Sequence, residues 1–308
     1  MNDIVPLVIN DAIGTILVGC IGYEHRSTHL LRTTSVRKRS LFFDYRALDE
    51  NGVGICSYEF NHKTVQNAGS VLESDFEAFL NTLEAEIRTL KNVDIDFDIT
   101  SFDRGKIGRI IIRFFSLRDY VSSVTFVYAP RTFKPFDMYK FDVVQSFGPA
   151  LPAFFGTAHG FNKPLTLILG AGYEYGKAVG AIDTLEPDHI YCFRPTGTNP
   201  QFDRHIDLAN VDFSFIENTE NIFTYDLNDA NRLYHSLRTL VNYEMVDQNV
   251  LLLPLGPKLF AALSMLIATV FHPNVMVWRH STASAKQLDT IEDAETTGKL
   301  VKFSFRFK

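Results

Sequence analysis

Short runs of apolar residues alternate along most of the chain with longer stretches in which apolar residues recur every three or four positions. The short runs are apolar throughout instead of at every second position, the pattern of parallel strands covered on both faces. In the first half, Thr15 to Cys20, Ser40 to Tyr45, Val93 to Ile99 and Val124 to Tyr128 read as strands; Tyr23 to Thr33, Ser74 to Leu90 and Arg104 to Leu117 read as helices. The helix at Ser74 begins on a capping residue with Glu77 three positions on, and it carries Phe76, Phe79, Leu80, Leu83, Ile87 and Leu90 on one face. In the second half the strands are Leu165 to Gly170, His189 to Phe193, Ile222 to Tyr225, Asn249 to Leu253 and Asn274 to Trp278. The helices between them are Tyr175 to Leu185, Ala230 to Glu244 and Pro257 to Val270, the last opening on a proline at the position where a helix tolerates it best.

The two halves share a local signature as well as a rhythm. Gly22-Tyr23-Glu24 follows the first strand of one half and Gly172-Tyr173-Glu174 the first strand of the other, each at the turn from strand into helix. The expected fold is therefore α/β: two tandem Rossmann-like parallel-sheet units, an internal duplication with the copies related by an approximate two-fold axis. Residues 1–130 form the first unit, the proline-rich 131–164 a linker, and 165–308 the second unit with a C-terminal tail.

Composition narrows the class. With 46% hydrophobic and 21% charged residues, the chain is globular and not disordered. Thirty Lys and Arg against 36 Asp and Glu give a formal charge of −6, so nucleic acid could be held only by a local patch. The helix from 104 to 118 supplies one candidate in Arg104, Lys106, Arg109, Arg113 and Arg118; its apolar face makes a solvated outer surface the competing account. Cys20, Cys56 and Cys192 form no metal-ligand spacing, which points to reduced thiols and a cytoplasmic protein without structural zinc. The N-terminus has no basic region of a secretory signal, and the longest apolar run, Leu259 to Phe271, is too short to span a bilayer core of about 30 Å. No membrane association is expected.

In an open parallel sheet, ligands bind beyond the carboxyl ends of the strands. Four turns are candidates: those starting at Ile21, Asp98, Gly170 and Pro254. In the last, Gly256 lets the backbone approach a ligand, and Lys258 puts a cation where the helix dipole is already positive. A phosphate or carboxylate would offset that cost, and a lysine reaching solvent is the plainer alternative. Asp98, Ser101, Asp103 and Arg104 gather two carboxylates, a hydroxyl and a guanidinium at one strand end. Asp98 and Asp103 are candidate bases for hydrolysis, against capping by Ser101 or Asp103. Glu24 and Glu174 stand at the start of helices, with Arg26 and Lys177 after them to meet an anion or pair with the glutamates. His25 and His29 lack a third metal ligand. The turn GAGYEYG is not GxGxxG, and Arg194 stands where a dinucleotide site has an acidic residue, so no cofactor is expected.

The strand leading into Gly256-Pro257-Lys258 and a small-residue apolar helix resembles the CARF-type cyclic-oligoadenylate sensor domains of prokaryotic defence systems. Those domains have a Gly-Thr-Lys turn there; Pro257 replaces the threonine, and Pro254-Leu255 stands for the preceding glycine-rich segment. The resemblance covers the order of elements from Leu165 to Trp278. It implies a nucleotide-like ligand, a sensor role in a multi-component defence system, and a protein effector partner, since the two units use up the chain. A nucleotide or phosphodiester hydrolase using the same cleft is the alternative, and a scaffold subunit the third.

Overall fold

The computed structural model describes residues 3–9, 14–34, 39–45, 58–133, 135, 144–156, 163–173, 176–197, 199–282 and 298–308. The chain divides into two compact units, residues 1–132 with 285–308 and residues 133–284. Cys56 and Glu174 lie outside the described residues.

Unit 1 is built on a seven-stranded sheet. Its parallel strands are β2 (Ile16–Ile21), β3 (Arg39–Asp44), β4 (Val71–Glu73), β5 (Val93–Asp98) and β6 (Val121–Tyr128). They lie in the order β6-β5-β2-β3-β4. β13 (Val301–Phe307) runs antiparallel beside β6, and β1 (Ile4–Pro6) runs antiparallel on the outer edge of β13. The connections carry α1 (His29–Thr33), α2 (Tyr58–Asn67), α3 (Phe76–Leu90) and α4 (Arg104–Ser116). β2 is buried along its whole length, which is why it reads as one continuous apolar run.

Unit 2 repeats this arrangement in six strands. β8 (Leu165–Gly170), β9 (His189–Thr196), β10 (Ile222–Asp226), β11 (Asn249–Pro254) and β12 (Val275–Thr282) are parallel in the order β12-β11-β8-β9-β10, and β7 (Val144–Pro149) is antiparallel on β12. The helices are α5 (Lys177–Leu185), α6 (Pro200–Ala209), α7 (Ala230–Glu244) and α8 (Lys258–Val270). Strand for strand the two orders are the same, each with its switch point between the first and fourth parallel strands. From Leu259 to Val270, α8 is buried on every side, so only its first turn reaches the surface.

The sixth strands are exchanged along the chain. β7 follows unit 1 in sequence and joins the sheet of unit 2; β13 follows unit 2 and joins the sheet of unit 1. The expected linker 131–164 and C-terminal tail therefore each contribute a strand, and the tail belongs with the first unit. Neither strand is announced by a long apolar run: β7 is VQSFGP, and β13 alternates as VKFSFRF because it lies between two antiparallel neighbours.

Local boundaries differ where capping decides them. Asp75, not Ser74, caps α3, accepting from the Ala78 N–H at 2.8 Å. Pro257 is the residue before α8 and not its first turn; its ψ of 146° is extended. The helix expected over Tyr23 to Thr33 is shorter, a 3-10 turn at His25–Thr28 leading into α1. α2, β4 and α6 fall in stretches that read as polar or proline- and asparagine-rich loop.

Candidate functional site

In unit 1 the turn after β2 and the turn after β5 meet at the switch point. A Cβ on Gly22 would stand 2.9 Å from the Ser101 Cβ, so only glycine lets the two turns close. Unit 2 repeats the approach with the glycine on the other turn: a Cβ on Gly256 would lie 1.9 Å from the Ala171 carbonyl oxygen. The Gly256 N–H also donates to the Gly170 carbonyl at 3.1 Å. Gly256 thus brings one turn against another, where the sequence suggested approach to a ligand.

Both GYE turns are held by an asparagine from the helix after the second strand. Asn61 Nδ2 donates to the Gly22 carbonyl at 3.1 Å and the Glu24 carbonyl at 2.9 Å, and its Oδ1 accepts from Thr28 Oγ1 at 2.8 Å. Asn210 Nδ2 donates to the Gly172 carbonyl at 3.0 Å. A second pair of positions corresponds. Asp44 and Arg194 each stand 22 positions after the glycine of their turn, and each is met by the side chain three positions before the asparagine. Tyr58 Oη donates to Asp44 Oδ1 at 2.6 Å; Asp207 takes Arg194 through Nε at 2.6 Å and Nη2 at 2.7 Å. Neither asparagine nor either contact stands out as a repeat in the sequence, because the asparagines lie 39 and 38 positions after their glycines and the residue types at the second pair differ.

The chemistry of the two edges differs. Among the described residues of unit 1, every buried polar or charged side chain except Asp96 and Ser304 lies at the carboxyl edge of the sheet or on the helices against it. Among its described residues unit 2 has Asn210 there and, on α8, Ser264 and Thr269, whose hydroxyls bond within the helix to the Phe260 and Met265 carbonyls; its buried Glu244 sits at the opposite end, bonded by Thr166 and Tyr191.

Asp98 is 5% exposed at the end of β5, and its Oδ1 accepts from the Thr100 N–H at 3.0 Å. Asp103 caps α4, accepting from the Lys106 N–H at 2.9 Å, the Lys106 ammonium at 2.7 Å and Tyr45 Oη at 2.9 Å. Burial alone would raise the Asp103 pKa, but the Lys106 contacts outweigh it and hold the carboxyl below its ordinary range. Ser101 Oγ is sealed from solvent without a hydrogen-bond partner, beside Gly22. Arg104 opens α4, a partly buried neighbour of the cap.

Arg26 and Glu24 are a pair. Arg26 Nε meets Glu24 Oε2 at 2.7 Å, and Nη1 donates to the Ala129 carbonyl at 2.7 Å. Burial opposes the guanidinium charge, yet Tyr128 and Glu24 together raise its pKa, so this 7% exposed arginine ties the turn after β2 to the end of β6. In unit 2, Lys177 begins α5 and its carbonyl faces His280 Nε2 at 3.1 Å. Lys258 begins α8, which has no side-chain cap, whereas the corresponding helix α4 is capped by a carboxylate. The basic stripe on α4 is met by α3: Arg109 pairs with Glu77 and Arg113 with Glu84. No group of three or more metal-ligating residues occurs among the described residues, and no described helix is long and apolar enough to cross a membrane.

A scan against protein-family models finds no match, and no curated protein matches this sequence.

Proposed function

We propose that the chain binds a nucleotide or another phosphate-bearing small molecule at the carboxyl edge of unit 1, as a sensor subunit acting through a protein partner. The observation that carries this reading is the concentration of buried polar groups at that edge, around the switch point where open α/β sheets take ligands. A fold that needed only stability would fill this edge with apolar side chains, since each buried polar group costs free energy unless satisfied. Ser101, sealed and without a partner, is the group whose cost a ligand would offset. Within unit 2 taken by itself, Lys258 opens a helix that no side chain caps, a place suited to an anion.

The resemblance of the Gly256-Pro257-Lys258 turn to CARF-type domains supports a defence-type sensor. The hydrolase reading rests on Asp98, the buried carboxylate at the end of β5, with Asp103, which also caps α4, as the second candidate base. The test is a thermal-shift screen of the intact chain against mononucleotides, cyclic oligonucleotides and non-nucleotide phosphates, with product analysis of every hit. Binding without turnover supports the sensor, and turnover lost in Asp98→Asn supports the hydrolase. A screen in which no phosphate-bearing compound shifts the transition overturns both.

A further inference from the structure

We propose that the outer surface of α1 and α2 in unit 1 binds single-stranded nucleic acid, stacking an unpaired base against Phe60 and its flat neighbours and meeting the adjoining phosphate with Arg32. This surface uses none of the buried polar groups at the carboxyl edge, and a strand held there is a second ligand beyond the small molecule proposed above.

The stack is the first observation. Phe60 is 44% exposed, one position before the buried Asn61. The His25 ring stacks on it with centroids 4.7 Å apart and planes 22° from parallel, and the Arg32 guanidinium lies over the same ring, 5.3 Å from its centroid. Arg32 Nη2 also donates to the His25 carbonyl at 3.0 Å, which fixes the guanidinium beside the two rings. Two aromatic rings and a guanidinium plane gather at one exposed place. Unpaired bases stack on surfaces of this kind, and they do so with little regard to base identity. A carboxylate of an acidic protein brings no flat face of that size, so the stack favours nucleic acid over an acidic protein partner.

Charge points the same way. His25, His29 and Arg32 are spaced i, i+4 and i+7 along the 3-10 turn and α1, so they share a face. Burial chiefly lowers the His29 pKa, a bond to the Gly298 backbone opposes it, and the charges of Arg32 and His25 add to the lowering, so the three groups lie within electrostatic reach of one another. Lys63, three positions after Phe60, is exposed on the same face of α2. Neither Arg32 nor Lys63 meets a carboxylate among the described residues. Cations gathered without a counter-charge repel one another, and an anion offsets that cost.

The stripe on α4, which the sequence offered for nucleic acid, is different. Lys106 meets Asp103, Arg109 meets Glu77 and Arg113 meets Glu84, so three of its cations are already neutralised. In a chain of net charge −6 only a local patch can hold a phosphate, and the patch left unneutralised is the one beside Phe60.

Fluorescence anisotropy of the intact chain with labelled oligo-rU, oligo-rA and oligo-dT strands about 15 nucleotides long, and with a duplex of the same length, tests this at low salt. All three strands should bind, and the duplex more weakly, since its bases are already stacked on each other. Phe60→Leu should weaken strand binding about fivefold to a hundredfold, the range for one base on one aromatic side chain, while Phe60→Tyr retains it. Arg32→Gln should also weaken binding and make the slope of log affinity against log salt shallower by about one. Arg109→Gln and Arg113→Gln should bind as the wild type does, and unchanged urea midpoints check the fold of each variant. Failure of every strand to bind, wild-type affinity in Phe60→Leu, or a preference for the duplex overturns this inference. Labelled polyglutamate that binds through Arg32 where no strand does overturns it in favour of an acidic protein partner. Strand binding that a mononucleotide abolishes and Phe60→Leu leaves intact belongs to the carboxyl edge; that result overturns this inference and leaves the small-molecule reading standing.

Discussion

Replacing Asn61 by alanine removes three hydrogen bonds from a side chain with no solvent exposure. Each is worth about 1 kcal/mol net, which sets the loss at about 3 kcal/mol before any group left buried without a partner is counted. The Glu24 carbonyl keeps the Ser27 N–H at 2.9 Å, so the added cost falls on the Gly22 carbonyl and the Thr28 hydroxyl. Asn210→Ala is milder. It removes two side-chain bonds, at 3.0 and 2.8 Å, and the Ile206 carbonyl retains the backbone N–H of residue 210. About 2 kcal/mol is expected there. With a urea slope of about 2 kcal/mol/M for a unit of this size, the midpoints should fall by about 1.5 M and 1 M. The single tryptophan, Trp278, lies in unit 2, so its fluorescence follows that unit while far-UV circular dichroism follows both. Asn210→Ala should move the fluorescence transition and Asn61→Ala the part of the dichroism transition that fluorescence does not see. An Asn61→Ala midpoint within about 0.3 M of wild type would refute the reasoning, because it would mean that the clasp carries almost none of the stability worked out from its bonds.

Gly256→Ala should destabilise by roughly 1–3 kcal/mol or more, since the added methyl meets the Ala171 carbonyl and one turn must move; a urea midpoint at the wild-type value would refute the close approach. Ser101→Ala should keep or raise the thermal midpoint of the ligand-free protein, because it deletes a sealed hydroxyl without a partner, and should weaken ligand binding; a clear loss of ligand-free stability would show that the hydroxyl is satisfied. His280 has its pKa lowered chiefly by burial, against the opposing bond to the Lys177 carbonyl, and the Lys177 charge adds to the lowering. The unfolded chain then binds the proton first, so this contribution is complete above about pH 6.5 and declines as the pH falls toward the folded value. A urea midpoint that rises as the pH is taken from 7 to 5, or that falls no less steeply in His280→Gln, would contradict this.

The strands of both sheets were legible where they are buried on both faces, as in Leu165 to Gly170 and Asn249 to Leu253, because parallel pairing under helices demands continuous apolar runs. β7 and β13 were not legible as parts of the opposite units. Their placement depends on which edge each pairs with, and local composition carries no information on that. α2 was hidden for a related reason: Tyr58, Asn61 and His62 turn polar groups inward, so the apolar stripe that marks a helix is broken where the candidate site needs it. Asp98, Ser101 and Asp103 stood out in sequence as a dense polar turn, and the structure gives the three of them separate surroundings. Asp44 was within reach of sequence reasoning. Its distance from Gly22 is the distance of Arg194 from Gly172, and the acidic residue sought after the second GYE turn stands after the first.

Hydrogen exchange on the intact chain, with and without the best-binding nucleotide of the screen, tests the central claim most directly. If the carboxyl edge of unit 1 is the ligand site, amides in 21–28 and 98–104 should become protected while those of β1, at the outer edge of the sheet, remain unchanged. Protection that spares both of those turns would contradict the account.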